Sequence, residues 1–98
     1  MTLNKILDGE KLTIEIIGRL DTKTSPQLEA EVNASVGGIS SLVLDFAQLE
    51  FVSSAGLRSL LKAQKLMNKQ GGMTIVNASE SVKEVFELTG FIDIFNLG

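Results

Sequence analysis

Three groups of residues in this 98-residue chain have types and spacing that can do chemistry: the pair Ser53-Ser54, the aspartates Asp21 and Asp45, and the cations Arg58, Lys62, Lys65 and Lys69. The serines stand in a run of small residues, Ser53-Ser54-Ala55-Gly56, between apolar Phe51-Val52 and a helical pattern that starts at Leu57-Arg58. Small side chains leave the N-terminus of that helix sterically open. One serine there can cap the helix by accepting a backbone N–H, and the other is then free for modification.

Asp21 follows one expected strand and Asp45 ends another, so a shared sheet edge would make them an acid–base pair with split pKa values. The weightier reading is that each carboxylate satisfies turn or cap amides. The chain has no His. Ser53 and Ser54 therefore lack an imidazole base, and nucleophilic hydrolysis has little support. The four cations recur at i, i+4, i+7 and i+11 on one helical face, and no acid occurs between Phe51 and Gly72. Such a stripe is either a solvated face or a docking face for an acidic partner, where charge speeds encounter more than it deepens affinity. Gly37-Gly38 and Gly71-Gly72 follow helices instead of opening them, the wrong end of the dipole for a phosphate. They read as turns.

The elements that position these residues follow from hydrophobic pattern. Leu3 to Leu7 and Leu12 to Ile17 flank Asp8-Gly9-Glu10-Lys11 and read as a hairpin. Leu12, Ile14 and Ile16 alternate with Thr13, Glu15 and Ile17, so one face of the second strand is mostly wet. After a loop from Gly18 to Thr24, Ser25 reads as an N-cap with Pro26 at the first helical position. Leu28, Val32 and Val36 give that helix its apolar stripe. The run Leu42-Val43-Leu44, ending in Asp45, suits a central strand covered on both faces. Leu57, Leu60, Leu61 and Met67 mark one side of the next helix, and Met73 to Val76 the next strand. Ser79 caps a last helix carrying Val82, Val85, Phe86 and Thr89, with Gly90 as its C′ residue; a short tail, Phe91 to Leu97, follows. The order β-β-α-β-α-β-α implies an α/β fold with a mixed sheet, mostly parallel because helices separate the strands.

Composition bounds the function. The length is that of one domain, residues 1–98. With Lys+Arg 9 against Asp+Glu 12 the net charge is -3, which argues against nucleic acid as a partner. No Cys or His means no disulfide, no thiol catalysis and no Cys/His metal site. No cofactor is expected. Five Phe without Trp or Tyr offer no stacking platform. The aliphatic runs are far shorter than the ~20 residues that span a bilayer, and Met1-Thr2-Leu3-Asn4-Lys5 lacks a signal-peptide layout. A cytoplasmic protein is expected.

Several strings resemble one family. Leu42-Val43-Leu44-Asp45-Phe46, Val52-Ser53-Ser54-Ala55-Gly56-Leu57-Arg58, Gly18-Arg19-Leu20-Asp21, and Ser79-Glu80-Ser81-Val82 followed by Phe86-Glu87-Leu88-Thr89-Gly90-Phe91 occur in the order seen in the STAS domain (sulfate transporter and anti-sigma factor antagonist). The resemblance implies a sheet of four to five strands with helices largely on one side, and a non-enzymatic role as a stand-alone anti-sigma factor antagonist. It implies partner switching. The unphosphorylated antagonist binds an anti-sigma factor that is also a serine kinase, phosphorylation in the serine turn dissociates the pair, and a metal-dependent serine phosphatase resets the cycle.

By position in the motif the acceptor is Ser54, with Ser53 as rival. Asp21 and Thr22 would line the docking surface with Ser53, Ser54, Ala55, Gly56, Arg58 and Lys62. This chain departs from the family's archetypes in having Ser53 where they carry Asp. That departure and the basic stripe motivate an alternative reading, a constitutive STAS subunit of a membrane transport complex or signalling scaffold.

Overall fold

The computed structural model describes residues 1–98. Strand β1 (Thr2–Asp8) turns back through Gly9-Glu10 into β2 (Lys11–Leu20), pairing antiparallel from Asp8↔Lys11 to Thr2↔Ile17. The remaining elements are α1 (Ser25–Ser35), β3 (Ser41–Asp45), β4 (Leu49–Val52), α2 (Ser54–Asn68), β5 (Gly72–Val76), α3 (Glu80–Thr89), a single 3-10 turn (Phe91–Asp93) and β6 (Asn96–Leu97). The sheet runs β1-β2-β3-β5-β6, and every pairing except β1–β2 is parallel. The fold is the mixed, mostly parallel α/β architecture expected from the pattern.

Alternation decides which face is covered. Leu12, Ile14 and Ile16 of β2, Leu42 and Leu44 of β3, and Met73 and Ile75 of β5 are buried in one core with Leu28 and Val32 of α1, Leu57, Leu60 and Met67 of α2, and Val82 and Phe86 of α3. Their neighbours Thr13, Glu15, Val43, Asp45, Thr74 and Val76 are half-exposed. The helices therefore stack on one side. Val43 corrects the sequence reading of a strand covered on both faces: three consecutive apolar residues do not reveal which of them points away from the helices.

Two strands are additional to those expected. The ten-residue β2 outruns β3, and its end pairs with β4 across a register shift between Gly18 and Arg19 (Gly18↔Leu49, then Arg19↔Phe51 and Leu20↔Val52). The tail adds β6 beside β5 and buries Phe95, whose ring lies 5.2 Å from that of Phe86. Helix ends follow local chemistry. Ser79 accepts the Val82 amide at 3.2 Å and Gly90 closes α3 in the left-handed region at φ 80°, a conformation that costs glycine little.

Three side chains differ from expectation. Ser25 does not cap α1; Thr24 holds the cap position, its side chain making no bond to the amides of α1, and the Ser25 hydroxyl donates to the Asp21 carbonyl. Leu61 is half-buried where Ser59 and Gln64 are buried. Thr89 is exposed and its hydroxyl donates to the Val85 carbonyl at 2.7 Å.

Candidate functional site

The end of β2 and the start of α2 are joined by backbone. The Ser53 amide donates to the Leu20 carbonyl at 2.9 Å, and the Ser53 Oγ accepts the Gly56 amide at 3.2 Å. Ser53 is thus the N-cap of α2, and Ser54 is the first residue within it. Ser53 is half-buried; Ser54 is exposed. Gly56 is buried against β2 and β4, where a Cβ would stand 2.7 Å from the Leu20 carbonyl oxygen and 3.1 Å from Val52 Cγ1. Any side chain there would push α2 off the strand ends.

The loop after β2 is tied by its own side chains. Thr24 Oγ1 accepts the Asp21 amide at 2.9 Å and donates to the Arg19 carbonyl at 2.8 Å. Asp21 Oδ1 accepts the amides of Thr24 at 3.1 Å and Lys23 at 3.0 Å. The Thr24 amide leads in holding the Asp21 carboxyl below its ordinary value, because these donors favour the charged form. Arg19 lies 3.9 Å from Asp21 and places its guanidinium 4.5 Å over the ring of Phe51, which is 40% exposed.

Between the N-terminal ends of α1 and α2 lies a shallow depression. Thr22, Ser25 and Pro26 line one side, and Ala55, Arg58 and Lys62 the other. Of the residues singled out in sequence, Thr22, Ala55, Arg58 and Lys62 meet here; Asp21 fixes the rim through the Ser25 amide, which donates to its carbonyl at 2.8 Å. Asp45 lies elsewhere. It stands in register with Glu15, six residues before Asp21 and so on the order of 20 Å back along the strand. Its Oδ1 accepts from the Ala47 amide and from Asn77 Nδ2. Both aspartates hold turn donors, the reading that outweighed an acid–base pair.

Sequence reasoning missed the contact that crosses from α1 to α2. Glu29 accepts from Lys62 Nζ at 2.8 Å and from the buried Ser59 Oγ at 2.7 Å. Lys62 first, then Ser59, holds the Glu29 carboxyl below its ordinary value. The one available signal was Ser59, a polar residue between Leu57 and Leu60 on the apolar side of α2. Farther along the same helix pair, Lys65 and Lys69 stand over a second groove, floored by Val32, Ala63 and Leu66. No helix is long and apolar enough to cross a membrane.

A model of the STAS domain matches residues 3–98. Over 97 residues the chain is 40% identical to BtrV of Bordetella bronchiseptica, a candidate anti-sigma factor antagonist, covering 97% of this chain and 82% of that one. It is 27% identical over 86 residues to the anti-sigma F factor antagonist of Paenibacillus polymyxa, covering 85% and 74%. The crystal structure of an anti-sigma factor antagonist from Mycobacterium paratuberculosis matches with a TM-score of 0.87 at 27% identity, over 98% of this chain and 83% of that one. Matched in sequence along nearly its whole length and in the order of its strands and helices, the chain belongs to the STAS domain family.

Proposed function

We propose that this protein is an anti-sigma factor antagonist that docks on an anti-sigma factor serine kinase and is released when that kinase phosphorylates Ser54. The observation that carries the reading is the division of labour in the serine turn: Ser53 Oγ is committed to the Gly56 amide, whereas Ser54 is exposed on the first turn of α2. A hydroxyl that must reach a γ-phosphate has to be accessible and unneeded by the fold. Ser54 meets both conditions.

The docking surface in this reading is formed by Asp21, Thr22 and the exposed edge of Ser53-Ser54-Ala55, with Arg58 and Lys62 beside them. Gly56, being buried, contributes by letting α2 approach Leu20. A phosphate on Ser54 adds about -1.5 to -2 charges at pH 7. At a helix N-terminus that charge is locally favourable, so α2 survives. The interface does not, because a doubly charged group must be desolvated against the partner. A penalty of ~3 kcal/mol weakens a complex over a hundredfold. A metal-dependent serine phosphatase would restore the hydroxyl, and the cycle would run in the cytoplasm.

The test is a pull-down from host lysate with tagged Ser54→Ala and Ser54→Asp proteins and identification of what each retains. A serine-kinase anti-sigma factor held by the Ala variant and lost by the Asp variant supports the reading. The same transporter or scaffold proteins on both baits would replace it with a constitutive subunit in which Ser54 is merely the first residue of a helix.

A further inference from the structure

The outer faces of α2 and α3 carry opposite charges on matching spacings. Lys62, Lys65 and Lys69 follow one another at i, i+3 and i+7 along and just past α2, which has no acid; Glu80, Glu84 and Glu87 follow at i, i+4 and i+7 on α3. At 1.5 Å per residue each row spans about 10 Å. Lys62 is paired with Glu29, but Lys65, Lys69 and the three glutamates take part in no ion pair within the molecule.

The shapes match too. The groove between α1 and α2 has an apolar floor of Val32, Ala63 and Leu66 beneath Lys65 and Lys69. The ridge of α3 presents Leu88, 79% exposed and the most exposed large apolar side chain of the protein, beside Glu84 and Glu87. Lys83 is the one cation on that ridge, which stays net acidic. The groove is mixed, since Glu29, Asn33 and Ser59 also line it, with Glu29 already paired to Lys62. Its free cations Lys65 and Lys69 above the partly exposed Leu66 complement an apolar knob among anions on the same chain.

We propose that the α1–α2 groove of one molecule receives the α3 ridge of a second copy, with Leu88 seated over Val32, Ala63 and Leu66, and Glu84 and Glu87 meeting Lys65 and Lys69. Groove and ridge are different surfaces, so each molecule offers one of each and the contact is head-to-tail. One ten-residue helix covers less than the ~1,600 Å² of a standard interface, and exposed ion pairs are screened by salt. The association is weak, concentration-dependent and salt-sensitive. It is independent of the part assigned to Ser54.

Sedimentation velocity of the purified full chain, from micromolar to millimolar concentration in low and in high salt, tests it. The sedimentation coefficient rises with concentration in low salt, and the rise is lost in high salt. Lys65→Glu and Glu84→Lys each weaken association by about tenfold or more. An equimolar mixture of the two restores it, because each retains the surface the other lost. Both positions are exposed, and circular dichroism melts verify that the variants fold. A chain that stays monomeric at millimolar concentration in low salt overturns the proposal and leaves the groove to an acidic helix of another protein. Self-association that neither charge reversal alters overturns it as well.

Discussion

The Oγ of Ser53 accepts the Gly56 amide at 3.2 Å, and this bond divides the work of two adjacent serines: one completes the fold and the other faces solvent. Helices begin with amides that have no partner within the helix, and a side-chain cap supplies one. Once Ser53 does so, the hydroxyl of Ser54 is surplus to stability. The two positions must therefore respond differently to the same substitution.

Ser53→Ala removes the cap and costs about 1 kcal/mol, lowering Tm by roughly 4–8 °C in a domain of this size. Ser54→Ala, at an exposed position, stays within about 0.5 kcal/mol of wild type. Thermal melts of the two variants, followed by far-UV circular dichroism, compare them directly. Equal losses would mean that the caps are shared or exchanged.

Gly56→Ala brings a methyl group within 2.7 Å of a backbone oxygen that cannot swing away. Overpacking of this kind costs about 1–3 kcal/mol. The shift should be felt at both ends of the Ser53–Leu20 hydrogen bond, so amide exchange at Ser53 speeds up along with the loss of Tm. A variant as stable as wild type, with an unchanged exchange rate at Ser53, would contradict the close approach.

Acid weakens both the α1–α2 contact and the loop after β2, because each is held by a carboxylate whose charged form is favoured in the folded protein. The folded protein holds Glu29 below its ordinary value of 4.5 and Asp21 below 3.8. Unfolded carboxylates take up protons first, so stability is full above those ordinary values and falls as pH drops through the lowered ones. A Tm profile between neutral pH and pH 3 therefore declines partly through Glu29, and Glu29→Gln makes the decline shallower. An unchanged slope in the variant would remove Glu29 from the account.

A phosphate or its mimic at Ser54 leaves the fold intact. It sits on the first turn of α2, where the dipole and free amides favour negative charge by about 0.3–1 kcal/mol. Ser54→Asp should melt at or slightly above the wild-type temperature and keep its amide spectrum outside the first turn of α2. Spectral changes throughout the sheet would mean that charge at Ser54 acts by refolding the domain.

Much of this was legible in the sequence, for identifiable reasons. Leu12, Ile14 and Ile16 alternate cleanly, and the β2 face followed. The pattern could not show β4, because Leu49 to Val52 is four residues long and exposes two consecutive side chains, Glu50 and Phe51. Nor could it show β6, a two-residue strand in the tail. Ser25 looked like a cap because Pro26 follows it, yet Asp21 reaches the Lys23 and Thr24 amides from upstream. The serine turn stood out by composition, but which serine caps was settled only by geometry. The Glu29–Lys62 pair joins residues 33 apart on two helices, a distance over which no local pattern speaks. Leu88 lies off the stripe of Val82, Val85, Phe86 and Thr89, in keeping with its exposure.

The most direct test of the proposed switch is the affinity of a purified serine-kinase anti-sigma factor, recovered as the partner of the Ser54→Ala protein, for this protein with Ser54 unmodified and with phosphoserine installed at that position. Isothermal titration should give a dissociation constant at least about a hundredfold weaker for the phosphorylated form, as a ~3 kcal/mol interface penalty requires. Equal constants for the two forms would contradict control at Ser54.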